Sequence, residues 1–142
     1  MKNMKIKEIM TTDVKTVTSS DNVSQAASVM DQLNVGSIPV IDNNKVVGIV
    51  TDRDIVVRSV AKGQNPTQKV SDVMTTNITY ATPDMDVHKA ADIMAEQQIR
   101  RLPVVENGSL VGIVAIGDLA VENIFENEAG EALHDISKGV RH

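Results

Sequence analysis

The sequence predicts an α+β fold in which two copies of one unit pack sheet to sheet around a pseudo-twofold axis, forming one module. Three observations predict it: an ungapped internal repeat, a helix–hairpin–helix pattern within each copy, and the length. The chain has 142 residues, enough for one compact core and too few for two large independent domains.

The repeat comes first because it organises everything else. The stretch from Ile6, "IKEIMTTDV…GIVTDRDIVV", matches the stretch from Val70, "VSDVMTTNI…GIVAIGDLAV", at a constant offset of 64. Met10-Thr11-Thr12 falls on Met74-Thr75-Thr76, Ala26-Ala27 on Ala90-Ala91, Pro39-Val40 on Pro103-Val104, and Gly48-Ile49-Val50 on Gly112-Ile113-Val114. The chain then divides into a first repeat with its lead-in (1–63), a linker (64–69), a second repeat (70–125) and a C-terminal helical extension (126–142).

Each copy reads the same way. After a short lead-in, Val23, Ala26, Ala27, Met30 and Leu33 recur at helical spacing, as do Val87, Ala90, Ala91 and Met94. Two β-branched runs follow, "SIPVID" and "KVVGIVT", joined by "DNNK" and in the second copy by "ENGS". Asn-Gly between strands signals a hairpin because both residues accept positive φ. Each proline, Pro39 and Pro103, sits near the start of its strand, where a missing N–H does least harm. A Val-rich second helix is expected next, with Val56, Val57, Val60 and Ala61 as its apolar stripe and Arg58, Ser59 and Lys62 opposite. Ala120, Val121, Ile124 and Phe125 repeat that stripe, and Gly63 is the expected C-cap. Past Glu122 the pattern stays helical, with a break expected at Gly130.

Composition removes several function classes. One Tyr, one Phe and no Trp leave a core of Val, Ile, Leu, Met and Ala and no set of aromatics for stacking bases. A net charge of −5 with no basic run longer than Arg100-Arg101 lacks the footprint of a nucleic-acid binder. Without cysteine there is no disulfide, thiolate metal site or cysteine nucleophile. No window reaches the ~18 apolar residues of a spanning helix, and the N-terminus is not a signal peptide, so the expectation is a cytoplasmic protein away from membranes. His88, His134 and His142 lack ligand spacing, and "DRD" lacks the glycine and the final acid of a calcium loop, so no metal is expected. Neither a P-loop nor a G-x-G-x-x-G or G-x-S-x-G motif occurs.

The chemistry-bearing residues close each copy. Thr51-Asp52-Arg53-Asp54 matches a capping box, Ser/Thr with an acid three residues later before an apolar run. In the second copy the threonine is Ala115, yet the acid survives as Asp118, as a simple N-cap or as something more.

With the lead-in "V-x-D-V-M-T", the mid-repeat "L-P-V-V-E-N-G" and the closing "G-I-V-T-x-x-D", the duplicated chain resembles the CBS domain pair, or Bateman module, over residues 5–124. The resemblance implies β-α-β-β-α repeats, a homodimeric disk, and a regulatory module that senses energy state by binding an adenosine-containing ligand in clefts between repeats and signals to a separate effector protein. It implies no catalysis. Likeness to IMP dehydrogenase would come from that enzyme's inserted CBS pair, since its catalytic barrel alone needs ~250 residues. No cofactor is required; the implied ligands are AMP, ADP or ATP, with S-adenosylmethionine and NAD as further candidates.

Carried over residue by residue, Thr51 and Asp54 would hold the ribose of one ligand and Asp118 that of the other. A carboxylate can accept hydrogen bonds from both hydroxyls of a cis-diol. The base would lie against Thr16-Val17-Thr18 or Tyr80-Ala81-Thr82, with Ile38, Pro39, Val40 and Pro103 beside it. Tyr80 is either a stacking partner or a surface tyrosine. Arg100 and Arg101, which replace Gly36 and Ser37 of the first copy, would reach phosphate with their planar forks. The competing reading is a dimerisation scaffold whose clefts are vestigial.

Overall fold

The structure is a computed structural model and describes residues 4–121. The expected extension 126–142 and the stripe residues Ile124 and Phe125 lie outside the described residues.

Each copy forms helix, hairpin, helix, as its periodicity predicts. In the first repeat these are α1 (Val23–Leu33), β1 (Ser37–Asp42), β2 (Lys45–Thr51) and α2 (Asp52–Arg58). In the second they are α3 (Val87–Gln97), β3 (Arg101–Glu106), β4 (Ser109–Ala115) and α4 (Ile116–Val121). A reciprocal Asn22–Gln25 box starts α1, and the Asp86 side chain accepts the His88 N–H to start α3. Both end at a left-handed residue, Asn34 and Gln98, each with φ 56°.

The hairpins turn as their asparagines require. Asn43 and Asn44 have φ 52° and 65°, and Asn107 and Gly108 have φ 53° and 81°, so each pair makes the two-residue turn whose twist suits adjoining strands. In the first hairpin Ser37 pairs with Thr51 and Asp42 with Lys45, with one irregularity between Val40 and Ile41. Strands β3 and β4 are likewise neighbours.

The chain folds as two compact units, and these do not coincide with the two sequence copies. The first unit comprises Lys15–Ile78 with Gly108–Leu110; the described part of the second comprises 4–14, 79–107 and 111–121. Each lead-in is built into the unit of the other copy. In the second unit Ile6 is fully buried among Val87, Ala91, Met94, Leu102 and Leu119. There the Ile6 N–H donates to the Met85 carbonyl at 2.9 Å, and Thr11 exchanges both main-chain bonds with Ile113 at 2.8 Å. In the first unit Val70 and Val73 join Val17, Val23, Met30, Ile38 and Val50. Thr75 exchanges bonds with Ile49 at 2.8 and 2.9 Å there. The linker is ordered too: Val23 donates to the Gln68 carbonyl at 2.8 Å and Ser24 to that of Pro66 at 3.1 Å.

Two glycines admit these lead-ins. A Cβ on Gly48 would stand 2.8 Å from the Thr75 carbonyl oxygen and 2.9 Å from Met74 Sδ. One on Gly112 would stand 2.7 Å from Met10 Sδ and 2.9 Å from the Thr11 oxygen. Met10 and Met74 therefore anchor the lead-ins, filling space that only glycine leaves open.

The second helix corrects one expectation. Helix α2 ends at Arg58, and a tight turn at Val60–Lys62 follows, capped by Gly63 at φ 69°. The buried residues are Ile55 and Ser59, whereas Val56, Val57 and Val60 are 56%, 42% and 67% exposed. Once Thr51 sets where the helix begins, the residues four apart that meet the core are Ile55 and Ser59. The valine stripe faces outward.

Candidate functional site

The first unit gathers Thr16, Val17, Thr18, Ile38, Pro39, Thr51 and Asp54. Thr51 ends β2 in extended backbone (φ −116°, ψ 161°) and caps α2. Its Oγ1 accepts the Asp54 N–H at 3.0 Å, and Asp54 Oδ2 accepts the Thr51 N–H at 3.0 Å. The Arg58 Nε, one turn on, lies 3.8 Å from Asp54 Oδ1. Arg58 is itself held by the carbonyls of Val73 and Met74 at 3.2 and 3.3 Å. The capping geometry leaves the Thr51 hydroxyl proton and further lone pairs of the Asp54 carboxylate uncommitted. Capping and ligand contact are thus compatible here.

The stretch Thr16–Thr18 follows its own copy into the first unit and runs parallel to β1, with Val17 against Val40. The Val17 N–H donates to the Pro39 carbonyl at 3.2 Å, and its own carbonyl accepts from Ile41 at 2.9 Å. The Thr18 N–H is taken by Asp21 Oδ2 at 2.9 Å. Among the three, therefore, Thr16 keeps its main chain outside these bonds. Ile38 and Val40 are core residues, 1% and 0% exposed.

The second unit gathers Tyr80, Ala81, Thr82, Arg100, Arg101, Pro103 and Asp118. Ala81 repeats the role of Val17: its N–H donates to Pro103 at 2.9 Å and its carbonyl accepts from Val105 at 2.8 Å. Tyr80 is 48% exposed, in the position of Thr16. Asp118 is not an N-cap: its Oδ2 accepts the Ala115 N–H at 2.8 Å, as Asp54 does for Thr51. Half of the box survives without the hydroxyl. Burial lowers the Arg101 pKa, and the nearby negative charge of Asp118 opposes that shift; the guanidinium stays protonated. Arg100 is exposed, and its carbonyl accepts the Ile116 N–H at 2.9 Å.

Sequence reasoning missed Arg58 and Asp52. The i,i+4 spacing of Asp54 and Arg58 is a visible signal for the first. Among the described residues no group of three or more His, Asp or Glu converges on a metal-sized site, and no helix is long and apolar enough to cross a membrane.

The chain is similar to known proteins. The CBS domain-containing protein YhcV of Bacillus subtilis is 46% identical over 132 residues, covering 93% of this chain and 94% of its own length. The inosine-5′-monophosphate dehydrogenase of Methanocaldococcus jannaschii is 36% identical over 117 residues, 81% of this chain but 23% of the enzyme, so the likeness reaches only its CBS part. The CBS domain pair of protein MJ0100, solved in complex with 5′-methylthioadenosine and S-adenosyl-L-methionine, is 27% identical, with TM-score 0.74 over 89% of this chain and 99% of that one. CBSX2 in complex with AMP is 27% identical, with TM-score 0.75 over 87% of this chain and 98% of that one. The CBS domain model matches residues 6–60 and 70–122. The chain belongs to the CBS domain family and carries two CBS domains.

Proposed function

We propose that this chain is a regulatory adenosine-ligand sensor without catalytic activity, acting in the cytoplasm on a separate protein. One ligand is held at the Thr51–Asp54 set and one at the Asp118–Arg101 set. The observation that carries the reading is the repeated carboxylate: a backbone N–H at the strand end fixes both Asp54 and Asp118, at 3.0 and 2.8 Å. It stays so in the second repeat, although the cap has lost its hydroxyl there. A carboxylate so held is preorganised to accept a ribose diol, and relatives of this fold bind AMP, 5′-methylthioadenosine and S-adenosylmethionine. Binding then shifts the population of module conformations by the ligand's differential affinity for them. The module works as a homodimer, a reading supported by the outward face of Val56, Val57 and Val60.

A thermal-shift panel of AMP, ADP, ATP, S-adenosylmethionine and NAD tests this, run on the wild type, Asp54→Ala and Asp118→Ala, with sedimentation reporting the chain number. A ligand at ~100 times its dissociation constant adds about 2.7 kcal/mol, a rise of several degrees. At least one adenosine ligand should give that rise, one aspartate variant should lose it, and the particle should contain two chains. Asp54→Ala should also melt lower without ligand, by a cap's worth of about 1 kcal/mol. A flat panel with lowered melting points alone would make the aspartates caps and the module a scaffold.

A further inference from the structure

The two sets differ most at a pair of residues bonded through the backbone in both units. In the first unit the Asp52 N–H donates to the Gly36 carbonyl at 2.9 Å, and in the second Ile116 donates to Arg100 at 2.9 Å. The positions are equivalent, yet one pair carries an acid and the other a base. The Asp52 carboxylate is also aimed. Its Oδ1 accepts the Arg53 N–H at 2.8 Å, and its Oδ2 lies 3.1 Å from where a Cβ on Gly36 would stand. An acid at residue 52 and no side chain at residue 36 go together: the carboxylate stands against the place from which a side chain at residue 36 would project, as that of Arg100 does in the second unit.

This pair lies at the end of an ordered row. Along β1, the Pro39 carbonyl accepts from Val17 beside Thr16, Ser37 stands opposite Thr51, and Gly36 precedes the strand. Three residues of strand are about 10 Å. If the base lies at Thr16 and the ribose at Thr51 and Asp54, the 5′ substituent points at the Gly36–Asp52 pair. The same row in the second unit runs from Tyr80 past Asp118 to Arg100–Ile116. The surrounding charges agree. Asp52 and Asp54 stand with Arg53 and Arg58 at the first set, whereas Asp118 stands with Arg100 and Arg101 at the second.

We propose that Asp52 and Arg100 make the two sets selective for opposite 5′ groups. The first takes an adenosine whose 5′ substituent is neutral or cationic, such as a thioether or sulfonium. The second takes one with a 5′-phosphate. Specificity by repulsion needs a fixed charge facing the wrong ligand, and a phosphate carrying about −1.5 to −2 meets one at Asp52. The inference rests on reading each set as an adenosine site.

Calorimetric titration of the full chain with AMP and with 5′-methylthioadenosine tests it, on the wild type, Asp52→Asn, Arg100→Gln and Asp54→Ala. Asn keeps the size of Asp52 and its bond to Arg53, so the fold is undisturbed. The wild type should take one AMP, weakened about tenfold or more by Arg100→Gln, and one methylthioadenosine, abolished by Asp54→Ala. Asp52→Asn should tighten AMP at the first set about tenfold, adding a second AMP per chain while moving methylthioadenosine less than about twofold; both folds follow from removing one nearby unit charge. If both probes bind but Asp52→Asn leaves their affinity ratio unchanged, or AMP is lost with Asp54→Ala instead, the selectivity is wrong and the adenosine reading stands. If neither probe binds the folded protein, both fall together.

Discussion

Ile6→Ala should destabilise the protein by about 3–4 kcal/mol, as for a fully buried isoleucine whose removal leaves a cavity. Ile6 is 0% exposed and touches the second-repeat core, although it opens the first repeat. Of a total stability of about 5–15 kcal/mol, that is a large share from a short lead-in segment. Urea unfolding measures it. Lys7→Ala, one residue on and paired at the surface with exposed Asp84 at 3.0 Å, is the control and should change little. A loss for Ile6→Ala within about 0.5 kcal/mol, the range of ordinary surface substitutions, would mean that the lead-in is not part of that core.

Gly112→Val should cost a further large amount, about 2–3 kcal/mol, by overpacking. The added Cβ would face Met10 Sδ at 2.7 Å and the Thr11 oxygen at 2.9 Å. The thioether can swing away. The carbonyl cannot, because it accepts the Ile113 N–H at 2.8 Å, so the lead-in must undock. Met10→Ala should therefore rescue only part of the loss, and a double-mutant cycle would separate the sulfur's share from the backbone's. Gly48→Val should behave alike against Met74 and Thr75. A neutral Gly112→Val, with hydrogen exchange at Thr11 unchanged, would contradict the close approach.

Much of this was legible in the sequence. The constant offset disclosed the duplication, the 3.6-residue spacing disclosed α1 and α3, and Asn-Asn and Asn-Gly disclosed both turns, because each is a local rule read from neighbouring residues. The exchange of lead-ins was not legible. Ile6 and Val70 are equivalent in either arrangement, and similarity between copies does not say which core each one enters. The valine stripe of α2 misled because Val56, Val57 and Val60 satisfy helical spacing as well as Ile55 and Ser59 do. Only the cap at Thr51 and the packing decide which face turns inward. At the site, Thr51 and Asp54 announced their box through spacing alone. That Asp118 keeps half of it, and that Asp52 faces Gly36, depend on side-chain directions that no spacing rule encodes.

The most direct test of the central claim, that this CBS pair binds adenosine ligands at the two residue sets, is amide chemical-shift mapping of the full chain with AMP and 5′-methylthioadenosine. The account predicts saturable shifts at Thr16–Thr18 and Thr51–Asp54 with one probe, and at Tyr80–Thr82, Arg100–Arg101 and Asp118 with the other. Saturating probe with no shift at either set, or shifts confined to the outward valines of α2, would contradict it.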